Sequence, residues 1–395
     1  MTEAVHIEVQ PEHEALRTEV RRFAEAHIAA HAAEIDRDAK VPADVVAALG
    51  RQGYLGSRLS RAQGGLELDH VGYGFLHREL GRVCSSTRSL VTVHDMVVAA
   101  IDRLGRAELR DAWLPRLVTG NAIAAFALTE PTAGSDASAV RATATPSGDE
   151  YIVSGHKRWI SFAQIADVFL VVARVADSET VVGLIVPRET AGVAITPMGG
   201  LLGLRGSMLG EIRLAECRVP KSALLGGERM PSGLATATAL QLGRLGVAWG
   251  CVGLSEACWD ASSEYAEQRI QFGARLADHQ LVRRMLTDMA TDIRAAVLLC
   301  LDTATALDRR DPRAAEATLM AKYFASRVAT RVASDAVQIH GALGCSGELP
   351  IERHFRDARI MEIIEGSTEI QQITIAHLLR PRARADTASE PEAEV

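Results

Sequence analysis

No two of the six cysteines, Cys84, Cys217, Cys251, Cys258, Cys300 and Cys345, stand at C-x-x-C spacing, which excludes the common zinc and dithiol motifs. The histidines form no H-E-x-x-H pair, so no metal site is expected. A Walker A loop is missing, and so is a G-x-G-x-x-G opening a helix. Gly200, Gly203 and Gly206 have the wrong spacing and read as loop glycines. No charge-free apolar run reaches the roughly eighteen residues of a membrane span. Met1 to Gln10 carries acidic residues and no apolar core, so no signal peptide is expected. Scattered thiols suit a reducing compartment, which makes the cytoplasm the expected location. A basic surface is also lacking: net charge is −7, and the one local cluster, Arg380, Arg382 and Arg384, falls near a terminal tail. A nucleic-acid partner is therefore not expected.

What remains is an ordinary globular composition, 24% charged and 48% hydrophobic, in 395 residues, enough for two or three domains. From Glu12 to about Ala124 the apolar residues recur at helical spacing, as in Leu16, Val20, Phe23 and Ala24. Val45 to Leu49 is read as a helix stopped by Gly50, and Ala99 to Leu104 as one closed by Gly105. Near Ala125 the texture changes to short β-rich runs: Tyr151–Val153, Val168–Arg174, Val181–Pro187, Val193–Pro197 and Ile212–Leu214. Helical periodicity returns at Ala235 and lasts to about Leu379. Gly243, Gly246, Gly250 and Gly253 lie on one helical stretch there. Each costs about 1 kcal/mol in a helix interior, so close approach of a neighbouring helix is expected. The reading is α+β: an N-terminal helical domain over 1–124, a middle antiparallel β domain over 125–234, a C-terminal four-helix bundle over 235–383, and a flexible tail over 384–395.

Phe126-Ala-Leu-Thr-Glu-Pro-Thr-Ala-Gly-Ser-Asp136 resembles the first signature of the acyl-CoA dehydrogenase family. Four further segments follow in the family's order: Lys157 to Ser161, Glu267 to Gly273, Asp335 to Gly341 and Ile364 to Gln371. The resemblance implies FAD, bound without a Rossmann unit, and an acyl thioester carried by CoA or by acyl carrier protein. It also implies an electron-transferring flavoprotein as acceptor. The implied assembly is a homo-oligomer, dimer or tetramer, whose FAD site is shared between subunits.

Such a dehydrogenation needs a base for the α-proton, an oxyanion site for the thioester oxygen and a hydride acceptor at Cβ. The resemblance places the base at Glu365, in a loop where Gly366 frees the backbone to aim the side chain. Its own N–H is the implied oxyanion donor. Burial should raise its pKa towards a useful range. Phe126, Leu128, Thr129, Gly134 and Ser135 are the implied flavin lining, with Trp159 and Ser161 on one face of a strand. Arg269, Gln271, Phe272, Gln280, Gln338 and Gly341 match residues that reach a neighbouring subunit's FAD, while Ser367 and Glu369 match contacts to the adenosine portion. Ser135, Arg244, His94 and Ile364 are the expected substrate contacts.

Several positions depart from the fatty-acid members. Ile364 stands where many carry an aromatic residue, Ala342 replaces a frequent glycine, and Ser207-Met-Leu-Gly210 breaks a Ser-x-Thr pattern. Ser89 to His94 is also atypical and sets a polar His94 where it could face the acyl pocket. These features resemble members that act on short or unusual acyl groups in polyketide or antibiotic extender-unit biosynthesis. A flavin-dependent oxidase or monooxygenase on the same fold is the alternative enzyme reading. A non-catalytic binding relative is the reading from another class.

Overall fold

The structure, a computed structural model, describes residues 9–227 and 233–380. The expected tail, 384–395, lies outside the described residues, as do Arg382 and Arg384.

Six helices come first: α1 (Pro11–His27), α2 (Ala32–Asp38), α3 (Ala43–Arg51), α4 (His70–Val83), α5 (Ser85–Leu104) and α6 (Ala107–Val118). Pro11 opens α1 at a position where its missing N–H costs nothing. Asp69 caps α4 by accepting from the Gly72 N–H at 2.7 Å. As expected, α5 ends at Gly105. Gly50 does not stop α3, however. It lies inside the helix because a Cβ there would overlap the Thr119 carbonyl, and the turn falls at Gly53, with φ +75°.

Seven strands follow: β1 (Ala124–Ala127), β2 (Thr143–Ser147), β3 (Glu150–Ile160), β4 (Val168–Val175), β5 (Val181–Pro187), β6 (Val193–Pro197) and β7 (Gly210–Pro220). All five β-rich runs read from the sequence fall inside strands. β1 and β2 carry no comparable signal, being short and rich in alanine, threonine and proline. The sheet is mixed, which corrects the antiparallel expectation. β2–β3, β3–β7, β4–β5 and β6–β7 pair antiparallel, while β1 and β2 both run parallel to β4. β1 takes the first half of β4 and β2 its last two residues. β4 is therefore buried along most of its length and reads as a continuous apolar run, Val-Phe-Leu-Val-Val-Ala.

The C-terminal region holds three long helices, α7 (Leu234–Gln268), α8 (Gln280–Asp308) and α9 (Ala314–His340), then short α10 (Ile351–Met361) and α11 (Thr368–Leu378). A small hairpin, β8 (Ile270–Gln271) and β9 (Ala274–Arg275), links α7 to α8. The expected C-terminal helical bundle is thus made of three long helices and two short ones. The glycines of α7 act as anticipated. A Cβ at Gly253 would overlap the Arg78 carbonyl of α4, and one at Gly81 of α4 would lie 2.7 Å from the Gly250 carbonyl. Arg78 then pairs with Glu256 across the same seam, Nε to Oε2 at 2.8 Å. No helix among the described residues is long and apolar enough to cross a membrane.

Candidate active site

The end of β1, the loop after it, the end of β3, α5, α7 and the α10–α11 loop enclose a cleft of about 380 Å³. Phe126, Leu128, Thr129, Gly134 and Ser135 line one wall, with Trp159 and Ser161 beside them. Arg244, Ile364, Glu365 and Ser367 line the other. Eleven of the expected residues thus meet in one place, although they come from positions spread between 126 and 367.

The loop after β1 is fixed by a buried ion pair that the motifs contained but to which no role had been given. Lys157 Nζ donates to Glu130 Oε1 at 2.7 Å and to the Leu128 carbonyl at 2.9 Å. Glu130 in turn accepts from the Arg141 and Ala142 N–H groups. Both side chains are almost wholly buried. Every lone pair used this way stiffens the loop that presents Thr129, Gly134 and Ser135. Hydrogen bonds hold the Glu130 carboxyl below its usual range despite burial.

Trp159 does not follow simple strand alternation. Lys157 pairs with Ile212 and Ile160 with Gly210, so three steps on β3 oppose two on β7. This bulge places Trp159 at φ +61° and leaves its ring half exposed in the cleft wall. The Arg158 guanidinium covers the ring at 5.0 Å from its centroid. Trp159, Ile160 and Ser161 all reach the cleft. Among the described residues, the hydroxyls of Thr129, Ser135 and Ser161 have no hydrogen-bond partner in the protein. An open indole with three free hydroxyls fits a planar heteroaromatic group with a polar edge.

Glu365 also sits in the left-handed region, φ +56°, followed by Gly366 at φ +98°. The cost of this backbone is met by three buried or partly buried side chains. Arg244 Nε donates to the Glu365 carbonyl at 3.0 Å, Lys322 Nζ to the Gly366 carbonyl at 2.6 Å, and Gln371 Nε2 to both. Nothing in its helical pattern marks Lys322, and Gln371, the last residue of the Ile364–Gln371 segment, carries no role that the sequence alone assigns. The Glu365 N–H donates to no group among the described residues. A Cβ at Gly243 would lie 3.0 Å from Glu365 Oε2, so the carboxylate rests against bare α7 backbone. Burial pushes the Glu365 pKa up, and the charges of Arg244, Lys322 and Arg88 pull it partly back. The same burial takes Lys322 down to about 8.

His94 is not a pocket residue, which corrects that expectation. It is fully buried, its Nε2 donates to the Leu117 carbonyl at 3.2 Å, and its Nδ1 accepts from the Ala124 N–H at 3.2 Å. It ties α5 to α6 and to the start of β1. The α5 residues that do line the cleft are Ser89, Val93 and Met96, at helical spacing on another face. Leu204, Leu240, Ile363 and Ile370 complete the apolar lining without having been singled out.

Arg269, Gln271, Phe272, Gln280, Gln338 and Gly341 do not line this cleft. They are exposed at one end of the helical bundle, where Tyr265 of α7 stacks on His340 of α9 at 4.6 Å. Phe272 tips the β8–β9 hairpin at φ +53° and is 98% exposed. Ser367 caps α11, and Glu369 is exposed in its first turn.

Three family models cover the chain: acyl-CoA dehydrogenase N-terminal domain over residues 10–121, middle domain over 125–217 and C-terminal domain over 233–379. The human mitochondrial short-chain specific acyl-CoA dehydrogenase is 36% identical over 379 residues, 95% of this chain and 92% of that protein. A glutaryl-CoA dehydrogenase from Mycobacterium smegmatis, solved in complex with FADH2, superposes with a TM-score of 0.89 at 28% identity, covering 95% of this chain and 96% of the other. FkbI, described as acting in biosynthesis of the methoxymalonyl extender unit of the polyketide Fk520, gives a TM-score of 0.83 at 34% identity over 93% of this chain and 100% of that one.

Proposed function

The chain belongs to the acyl-CoA dehydrogenase family, and on that premise we propose that it dehydrogenates an acyl thioester, with Glu365 taking the α-proton. The observation that carries this reading is the loop of Glu365. Its carboxylate faces the cleft across Gly243, its carbonyl is anchored by Arg244 and Gln371, and its own N–H is left free. That N–H is the donor we assign to the thioester oxygen, where charge develops as the α-proton leaves. Raised by burial, the carboxylate is a stronger base than an exposed one, and the charges of Arg244, Lys322 and Arg88 partly offset that rise.

Phe126, Leu128, Thr129, Gly134, Ser135, Trp159 and Ser161 would hold FAD, which when bound supplies the hydride acceptor for Cβ. Ser135, Arg244 and Ile364 would contact the substrate. Ser367 and Glu369 would meet the adenosine portion. Arg269, Gln271, Phe272, Gln280, Gln338 and Gly341 would serve the FAD of a second copy, so the active unit is a homo-oligomer. The full exposure of Phe272 in a strained backbone supports that role. The domains would span 1–124, 125–234 and 235–383. A short or unusual acyl group of extender-unit metabolism, on CoA or carrier protein, is supported by the departures around Ile364 and by the similarity to FkbI. The electron acceptor in this reading is an electron-transferring flavoprotein.

Anaerobic titration of the FAD-loaded protein with short acyl-CoAs, and with the same acyl groups on carrier protein, tests the reading. Stoichiometric loss of the yellow flavin absorbance with at least one series is expected. A protein that cannot be loaded with FAD, or whose flavin no thioester reduces, would overturn it.

A further inference from the structure

Between β6 and β7 the chain runs as one clamped segment, residues 198–209. The Leu204 N–H donates to the Asp357 carboxylate of α10 at 2.6 Å. Arg356, next to Asp357, donates from Nη1 to the Leu202 carbonyl at 3.2 Å and to Asp36 of α2 at 3.0 Å. A Cβ at Gly203 would lie 2.4 Å from the Arg356 carbonyl oxygen. One at Gly206 would lie 2.3 Å from Ile35 Cγ2 and 3.0 Å from Ser86 Cβ. The segment is therefore wedged between α2, α5 and α10. Leu204 is held at φ +49°, and Met208, in the Ser207–Gly210 departure, at φ +45°. Such backbone persists only where its surroundings fix it, and it clusters where a side chain must be aimed.

Leu204 is buried and lines the cleft, as does Ser89 of α5. Its side chain belongs to one apolar cluster with Ala358 and Met361 of α10. The depth of the segment can be read along α5. A Cβ at Gly243 would lie 2.7 Å from Met96 Sδ and 3.0 Å from Glu365 Oε2, so Met96 marks the level of the base. Ser89 stands about two helical turns before Met96, roughly 10 Å at the usual rise, and Ser86, which Gly206 meets, about three. The segment therefore meets the cleft at the end remote from the base, and it presents an apolar side chain there. Asp357 itself is 3% exposed, so its bond to the Leu204 N–H is shielded from water.

We propose that Leu204 is the stop against which the acyl chain ends, and that Asp357 is the positioning residue that sets the depth of the cleft through the Leu204 N–H. The proposal rests on the reading of this cleft as an acyl-thioester site, and it adds what limits the chain length there. A side chain on a fixed backbone discriminates sharply, because a chain one carbon too long must displace the segment and its clamp. The same helix, α10, leads directly into the loop of Glu365. Base and stop thus hang from one rigid element, which fixes the span between them.

The test uses the FAD-loaded enzyme and straight-chain acyl thioesters from butanoyl to dodecanoyl, on whichever carrier reduces the wild-type flavin. Wild-type kcat/KM is expected to peak and then to fall about tenfold or more for the next longer ester, mostly through KM. A profile that keeps rising through dodecanoyl has no stop and overturns the proposal without needing a variant. Leu204→Ala should move the peak to a chain longer by about two carbons, into the space the side chain leaves. Asp357→Ala should flatten the peak by raising KM for the best ester. Asp357→Asn, which keeps an oxygen for the Leu204 N–H, should restore it. A Leu204→Ala protein with the wild-type profile overturns the proposal, as does an Asp357→Asn protein no more selective than Asp357→Ala. Equal loss of kcat at every chain length, or loss of FAD alone, gives these residues a structural role and overturns it too. Each of these results removes the stop and leaves the dehydrogenase reading standing, whereas a wild-type flavin that no thioester reduces removes both.

Discussion

Gly243 of α7 presents bare backbone to Glu365, and an added Cβ would lie 3.0 Å from Oε2 and 3.1 Å from Cδ. A glycine that weakens its own helix thus makes the space in which a carboxylate is aimed. Alanine is the better helix former by about 1 kcal/mol. Gly243→Ala should therefore fold and retain FAD, but Glu365 and Met96 must shift by a few tenths of an ångström or more. The rate of flavin reduction is expected to fall about tenfold to a hundredfold, as for other small misplacements of reacting groups. Stopped-flow reduction with saturating substrate reads this directly, and an unchanged rate would show that the carboxylate is not positioned by α7.

The Glu130–Lys157 pair is expected to matter more to the cofactor than to the overall fold. Lys157→Met leaves Glu130 buried without its cation, a change that costs about 3 to 5 kcal/mol in comparable pairs. The loop carrying Thr129, Gly134 and Ser135 would loosen. Flavin dissociation, followed by the rise of free-flavin fluorescence on dilution, should speed up markedly in this variant. An apoprotein of wild-type stability with unchanged flavin retention would contradict this account of the loop.

His94 gives a pH prediction. Burial holds its pKa at about 4 in the folded protein, against an ordinary 6.5. The unfolded chain therefore binds the extra proton between those values. The contribution of this group is fully present above pH 6.5 and is lost as pH falls towards 4, about 3 kcal/mol in all. His354, taken down to about 3 by burial, acts in the same direction. Urea unfolding at pH 7.5, 5.5 and 4.5 should show falling stability, and His94→Gln should flatten part of the slope. Substrate affinity of the folded variant should stay at the wild-type value, because His94 lies outside the cleft.

The exposed hairpin should matter to assembly and to flavin together. Arg269→Ala and Phe272→Ser remove groups that make no contact essential to their own subunit's cleft. Both are expected to lower FAD affinity and to shift sedimentation towards smaller species. Unchanged flavin affinity in both variants would sink the shared-site reading.

Much of this was legible before any coordinates. The period-2 runs marked five strands, and the five ordered motifs brought Glu365, Trp159 and the Thr129 loop together, because those features are local. What stayed hidden depends on packing between distant segments. Gly50 looked like a helix stop because sequence cannot show the Thr119 carbonyl that fills its missing side chain's place. β1 is four residues with three alanines, and only its parallel partner β4 makes it a strand. Trp159 seemed to alternate with its neighbours until the bulge against β7 turned it. His94 seemed a pocket residue because helical spacing cannot say which face meets the cleft. Arg88 drew no notice, since burial of a charge is invisible in a helix of mixed polarity.

The most direct test of the account is transient reduction of the bound flavin in Glu365→Gln, under anaerobic conditions, with a substrate that reduces the wild type. Glutamine keeps the size of the side chain and removes its ability to take the α-proton. The account predicts retained FAD, retained substrate binding and a reduction rate lower by several powers of ten. Reduction within about tenfold of the wild-type rate would contradict the assignment of Glu365 as the base.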